Sequence, residues 1–187
     1  VEDGGAIYIT GQRGRLYNSK FINNTAVKSG GAIFVSSESN EGNVSNSYFE
    51  NNYATDFRNS QGGAIDWHGD NAYIYNATFV DSFAVTGGSV FIGEECDGAE
   101  IINSSFKSSR ALGNGGSIVV CGNDITIDGS NFTDSRAIGD GGAIYLNGVS
   151  ANTNITNTTF RLNKAIKNGG AIDCNAENIG IYNLTFD

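Results

Sequence analysis

Apolar and polar residues alternate in short stretches that recur about every 27 residues along the chain. Alternation with a period of two places one set of side chains on a single face of a β-strand, so each stretch predicts a strand. One apolar column contains Ile7, Ile33, Ile65, Val90, Ile118, Ile144 and Ile172. Two positions further on, a second contains Ile9, Val35, Trp67, Ile92, Val120, Leu146 and Cys174. A third contains Leu16, Val44, Ile74, Ile101, Ile127, Ile155 and Ile181.

Gly-Gly pairs and phenylalanines recur in step with these columns. The pairs begin at Gly4, Gly30, Gly62, Gly87, Gly115, Gly141 and Gly169. The phenylalanines are Phe21, Phe49, Phe79, Phe106, Phe132, Phe160 and Phe186. Five residues after each of the first six comes an alanine, at Ala26, Ala54, Ala84, Ala111, Ala137 and Ala165. The Gly-Gly pair fits a corner where one residue needs positive φ or where no side chain fits.

One such unit cannot bury its own apolar face, so like units must stack into a shared core. The sequence therefore predicts an all-β solenoid, a parallel β-helix of about seven coils with about 27 residues per coil. We expect residues 1–187 to form a single β-helix segment. Neither end shows the polar cap that solenoids need for solubility, so we expect a longer repeat array or end-to-end self-association.

An asparagine precedes most of these phenylalanines by three residues. The column contains Asn18, Asn46, Asn76, Asn103, Asn157 and Asn183, with Gly129 as the exception. Aligned amides can hydrogen-bond from coil to coil, which predicts a buried asparagine ladder.

The two recurring motifs together resemble a known repeat. Gly-Gly-Ala-Ile is intact at Gly4–Ile7, Gly30–Ile33, Gly62–Ile65, Gly141–Ile144 and Gly169–Ile172. Phe-x-x-Asn is intact at Phe21–Asn24, Phe49–Asn52 and Phe160–Asn163, and Ser82, Ser109 and Ser135 replace the Asn in the coils between. This pairing resembles the repeat of chlamydial polymorphic outer-membrane proteins, and similar repeats occur in adhesin-like surface proteins of methanogenic archaea. The resemblance implies a right-handed parallel β-helix at the cell surface, in an extracellular adhesin or an autotransporter-like passenger, without catalytic residues.

Charge and hydropathy narrow the range of partners. The net charge is −9 and the Lys and Arg residues are scattered singly, so no basic patch is expected to follow a phosphate backbone and no nucleic-acid partner is expected. No apolar run approaches the roughly 20 residues of a membrane helix, so this segment is not expected to insert into a membrane.

The outward positions of the strands carry aromatic residues, which are candidates for a binding surface. They are Tyr8, Phe34, Phe91 and Tyr145 on the first strand of the coil, and Tyr17, Tyr75 and Tyr182 on the second. Ring stacks on a flat sheet can bind sugar faces or a partner protein. The alternative is that they stabilise the strands through cross-strand contacts. Expected partners are glycans or proteins on host or neighbouring cells.

Residues with catalytic or metal-binding chemistry are sparse. The best acidic cluster contains Asp66, Glu94, Glu95, Asp97 and Asp124. We favour the interpretation that these are solvated loop charges. Ca²⁺ binding through carboxylate oxygens ranks second and catalysis third. A carbohydrate-active enzyme, either a polysaccharide lyase or a glycoside hydrolase, is thus the alternative to a non-enzymatic adhesin-like stalk. We assign no catalytic, cofactor or metal-binding residue and expect no cofactor.

The single Trp and the single His are adjacent. Trp67 falls in an inward column and is expected in the core. His68 begins a loop, and one histidine makes neither a catalytic triad nor a metal site without partners.

Two kinds of covalent modification are suggested. Cys96 and Cys121 lie in adjacent coils, which predicts a disulfide in an exported protein, whereas Cys174 is expected to be a buried free thiol. Eight Asn-x-Ser/Thr sequons occur, at Asn23, Asn43, Asn76, Asn103, Asn131, Asn154, Asn157 and Asn183. Because four of them are ladder positions, Asn23, Asn43 and Asn154 are the better candidates for glycosylation.

Overall fold

The chain winds into a parallel β-solenoid. The computed structural model describes residues 1–187 and contains strands but no helix. Three sheets have seven strands and a fourth has six, and the chain makes about six turns of roughly 28 residues each. The predicted all-β solenoid is confirmed, and the seven repeats of the sequence correspond to the seven strands of the longer sheets. The structure therefore contains no helix that could span a membrane.

Each turn contributes one short strand to each sheet. The first sheet contains Ile7–Ile9, Ile33–Val35, Ile65–Trp67, Val90–Ile92, Ile118–Val120, Ile144–Leu146 and Ile172–Cys174. The second contains Arg15–Tyr17, Asn43–Ser45, Tyr73–Tyr75, Glu100–Ile102, Thr126–Asp128, Asn154–Thr156 and Gly180–Tyr182. The third contains Lys20–Ile22, Tyr48–Glu50, Thr78–Val80, Ser105–Lys107, Asn131–Thr133, Thr159–Arg161 and Thr185–Phe186. The fourth contains Thr25–Ala26, Tyr53–Ala54, Phe83–Ala84, Arg110–Ala111, Arg136–Ala137 and Lys164–Ala165.

Strand pairing places equivalent residues directly above one another. Ile118, for example, is in register with Ile144, and Phe106 is in register with Phe132. Most residues of the three apolar columns and of the phenylalanine column therefore belong to one continuous core of 29 buried residues, whereas Ile181 and Phe186 of the last coil are exposed. Trp67 belongs to this core, as predicted. Its indole lies over Gly42, where an added Cβ would lie 2.6 Å from the ring.

The Gly-Gly corner requires glycine at both positions, for different reasons. The first glycine adopts a left-handed conformation, as at Gly115, where φ is +63°. A Cβ on the second would meet the backbone of the next coil. At Gly116 it would lie 2.0 Å from the carbonyl oxygen of Gly142. Both sequence-based explanations of the pair are thus confirmed.

The asparagine column before the phenylalanines is exposed, so the prediction of a buried ladder is wrong. These residues occupy turns between the second and third sheets with φ near +50°, a conformation that Asn and Gly tolerate best. This requirement also explains why Gly129 can replace Asn. Amide bonds do run along parts of the column. Asn76 Nδ2 donates to Asn46 Oδ1 at 2.8 Å, and Asn183 Nδ2 donates to Asn157 Oδ1 at 2.7 Å.

The inward-facing asparagines are instead those of Phe-x-x-Asn. Asn52 is fully buried, its Nδ2 donates to the carbonyl of Phe21, and its Oδ1 accepts the backbone N–H of Asn24. Where serine replaces asparagine, the hydroxyls of Ser109 and Ser135 form hydrogen bonds with Ser89 and Ser117, which directly follow Gly-Gly pairs. The buried asparagine therefore connects adjacent coils from inside, whereas the serine pairs connect two sides of one coil.

Candidate functional site

The predicted aromatic positions of the first sheet form an interrupted outer column. The rings of Tyr8 and Phe34 stack with centroids 4.9 Å apart. The next residue in register is Asp66, and beyond it come Phe91 and Val119, which are both buried. Phe91 packs with Val119 and Cys121 in a small outer cluster that Tyr145 borders. Phe91 and Tyr145 also line a recess of about 270 Å³.

The imidazole of His68 occupies the space beside Asp66, where the outer column has no aromatic residue of its own. Its imidazole lies between Phe34 and Phe91, with centroid distances of 5.5 and 6.1 Å. Its Nε2 lies 3.0 Å from Oδ1 of the buried Asp66, and its Nδ1 lies 3.0 Å from Oε2 of Glu95. Apart from this ion pair, neither oxygen of Asp66 has a hydrogen-bond partner. Sequence reasoning missed this cluster, because it treated His68 as an isolated loop residue.

The electrostatics of the cluster favour an imidazolium. Burial of the ring by itself would lower the pKa of His68. The hydrogen bond and charge of Asp66, followed by those of Glu95, outweigh burial and raise the pKa from 6.5 to about 9. The hydrogen bond from His68 in turn lowers the pKa of Glu95. His68 is therefore charged at neutral pH, and the cluster is an ion-pair network between two phenyl rings.

The aromatic candidates of the second sheet do not meet. Tyr17, Tyr75 and Tyr182 belong to the first, third and seventh coils, and non-aromatic residues such as Ser45 occupy the same position between them. Tyr75 stacks on Tyr73 of its own strand with ring centroids 5.9 Å apart, but the three candidates form no continuous aromatic surface.

Most of the predicted acidic cluster has structural partners. Asp97 Oδ1 accepts the backbone N–H of Asn123, and Asp124 Oδ1 accepts the side-chain amide of Asn152. These bonds connect loops of adjacent coils. No three His, Cys, Asp or Glu side chains converge in a way that could hold a metal ion.

The structure does not form the predicted Cys96–Cys121 disulfide. Both thiols are free and buried, but Cys96 belongs to the interior core and Cys121 to the outer cluster beside Phe91. The expectation that Cys174 is buried is also wrong. It is exposed, because it lies in the last coil, where no further strand of the first sheet covers it.

The three glycosylation candidates differ in their exposure. Asn23 and Asn154 are exposed, whereas Asn43 is partly buried and accepts a hydrogen bond from Ser45. The sequon asparagines of the column before the phenylalanines are exposed as well. Burial therefore gives no reason to prefer Asn23, Asn43 and Asn154 over them as glycosylation sites. Glycosylation at Asn23, Asn43 and Asn154 stays a prediction.

The outer surface of the fourth sheet carries a groove that sequence reasoning missed. At its N-terminal end a cleft of about 460 Å³ is lined by the rings of Tyr53, Phe57 and Phe83 and by polar side chains that include Asp81 and Arg110. Phe57 lies in the loop between the strands Tyr53–Ala54 and Ile65–Trp67 and is 72% exposed, and its ring meets Phe83 edge-on at 6.4 Å.

A second cleft of about 290 Å³ continues the groove and shares Phe83 and Arg110 with the first. Its apolar lining includes Leu112, Ile138 and Ile166, which are 36%, 50% and 70% exposed. The cations Arg110, Arg136 and Lys164 lie directly in register along it. We call the two clefts together the fourth-sheet groove.

The sequence does carry a signal for this groove. Its aromatic and basic residues stand four positions after a core phenylalanine, and its exposed apolar residues stand six positions after one. The first series contains Tyr53, Phe83, Arg110, Arg136 and Lys164. The second contains Leu112, Ile138 and Ile166. Their common location follows only from knowing that the fourth sheet is a separate face.

Both the fold and the repeats define the class of the chain as a parallel β-solenoid repeat protein. Three segments, residues 18–36, 46–66 and 157–175, match the Chlamydia polymorphic membrane protein (Chlamydia_PMP) repeat. These three segments therefore match the repeat that their motifs predict, and the family of that repeat is associated with the outer membrane and cell surface. The matched segments are the three in which Phe-x-x-Asn is intact and a Gly-Gly-Ala-Ile follows. No curated protein matches the chain.

Proposed function

We propose that the chain is an extracellular, adhesin-like segment of a surface protein, a stiff non-enzymatic stalk that binds neighbouring cells through its side. The observation that carries the proposal is the fourth-sheet groove, where aromatic and aliphatic side chains stay exposed on an otherwise regular scaffold. Exposed apolar patches of this kind, rimmed by polar groups, are typical of interaction sites. The surface association of proteins with this repeat supports the location.

The scaffold suits a stalk, because the strands of each sheet are paired throughout its length. Seven coils at about 4.8 Å make a column whose core of stacked rings resists bending. Surface residues change from coil to coil while the inner columns do not. Binding residues can therefore vary without loss of the fold.

Adhesion by coated beads tests the proposal. Beads carrying the chain should bind epithelial monolayers several times more than albumin-coated beads. The double variant F57S/I138S removes two exposed apolar groups of the groove and should lower binding severalfold. The double variant I22S/V149S is the matched control, because both side chains lie outside the groove and are 45% and 58% exposed, and it should bind like the wild type.

Two outcomes would overturn the proposal. One is binding no greater than that of albumin beads. The other is binding by the groove variant equal to that of the wild type. The alternative function, a carbohydrate-active enzyme, would be supported if the chain released reducing ends or unsaturated sugars from polysaccharides and the variant D97N did not.

A further inference from the structure

We propose that the fourth-sheet groove binds an acidic polysaccharide, with sugar rings against its aromatic end and sugar carboxylates on its row of cations. This inference rests on the proposed binding function and names the ligand class and the site. The groove extends from Tyr53 in the second coil to Lys164 in the sixth. Four coil spacings make that about 19 Å, so an oligosaccharide reaches both ends and a single sugar does not.

The aromatic end has the composition of a sugar site. Tyr53, Phe57 and Phe83 offer ring faces and edges to the C–H groups of a pyranose. Around them stand Asp81 and Ser108, whose side-chain oxygens form no hydrogen bond within the chain and are free for sugar hydroxyls. Few, precisely placed polar groups around an aromatic floor are the usual arrangement of small-molecule sites.

The row of cations indicates an acidic ligand. Arg110, Arg136 and Lys164 face one another across adjacent strands, and like charges placed directly opposite are destabilising. Arg136 has an ion pair with Asp134 at 2.9 Å, but Arg110 and Lys164 have none. A row of three cations, two of them unpaired, is a local departure from the net charge of −9 of the whole chain. A carboxylate in the groove would relieve the repulsion, and guanidinium groups bind carboxylates bidentately.

A peptide ligand fits this surface less well. Extended peptides usually bind a sheet by adding a strand to its edge. Here the backbone amides of Arg110, Arg136 and Lys164 already donate to carbonyls of the preceding coil at 2.9 Å. Only side chains are available along the groove, and side chains with an aromatic floor recognise hydroxylated rings. A bilayer surface is also disfavoured, because the apolar residues line a concave groove among charged side chains.

Calorimetric titration with two matched oligosaccharides tests the inference. Oligogalacturonic acid should bind the chain, and its affinity should fall as NaCl rises. The fully methyl-esterified oligosaccharide has the same rings without charge and should bind at least tenfold more weakly. The variant R110Q/K164Q should weaken binding of the acid at least tenfold, whereas R15Q/K20Q, which removes two exposed cations on other sheets, should not.

The outcomes separate this inference from the proposed function. Bead adhesion that depends on the groove, without binding of oligogalacturonic acid, would overturn the ligand class and leave the adhesive function standing. Equal affinity for the acid and its ester, or an affinity unaffected by R110Q/K164Q, would also overturn the inference. So would binding of polyglutamate or of phosphatidylserine vesicles that exceeds binding of the acidic oligosaccharide.

Discussion

Two columns of rings run along this solenoid, one inside it and one on its surface. The inner column contains a phenylalanine in every coil, and neighbouring rings stack 4.7–5.2 Å apart with interplanar angles of at most 16°. The outer column of the first sheet begins with the same stacking at Tyr8 and Phe34. It then passes through Asp66, Phe91 and Val119.

The difference shows where the fold constrains the sequence. Inside, a ring is packed by the rings above and below it, so a smaller residue would leave a cavity between two coils. Outside, solvent or a loop side chain can fill the same space. The imidazole of His68 does this above Asp66, and Gly93 leaves room for it, since a Cβ there would lie 2.2 Å from Nδ1. The outer column can therefore acquire new chemistry without a change of fold.

Removing one ring from each column should give the largest difference in the free energy of unfolding. F106A creates a cavity at a fully buried position in the middle of the stack and should lower the free energy of unfolding by about 3–5 kcal/mol. Y8A removes a ring that is 55% exposed and should cost less than about 1 kcal/mol. Urea unfolding followed by circular dichroism measures both, and similar losses would contradict the distinction between the columns.

The sequence was sufficient to predict the architecture, because the residues that define it recur in every coil. The inward columns, the stacked Phe106 and the glycine corner at Gly115 and Gly116 each follow from packing or backbone geometry. Burial of the asparagine column was predicted incorrectly. Recurrence indicates that a position is constrained, but it does not say whether the constraint is packing or, as at Asn76, a left-handed turn.

Surface features that occur only once in the chain could not be predicted from the repeat. The contact of His68 with Asp66 and Glu95 joins residues of adjacent coils through loops whose path the repeat does not determine. The fourth-sheet groove likewise depends on the direction in which the side chain of Phe57 leaves the loop that follows Ala54. The faces of Cys96 and Cys121 could not be inferred from their separation along the chain. In this molecule the sequence predicts the scaffold well and the chemistry of its surface poorly.

Alkaline pH should weaken the outer column before the inner one. The pKa of His68 is raised to about 9 in the folded chain, above its ordinary 6.5. Its contribution to stability is therefore complete below about pH 6.5 and is lost as the pH rises through about 9. The wild type should lose more unfolding free energy than H68Q between pH 7 and 9.5. Burial also raises the pKa of the Cys96 and Cys121 thiols, but both proteins share that loss, so their difference isolates the histidine.

The two carboxylates beside His68 should contribute unequally to the pKa of its imidazole. Asp66 is fully buried and has no other partner, whereas the side chain of Glu95 is 61% exposed and is screened by water. Because His68 is the only histidine, an NMR titration shows a single set of imidazole C–H signals, which all belong to its ring. D66N should lower the titration midpoint by roughly 1–3 units, the usual effect of losing an opposite charge. E95Q should lower it by less. A larger shift in E95Q would mean that the exposed carboxylate, and not the buried one, holds the proton on the ring.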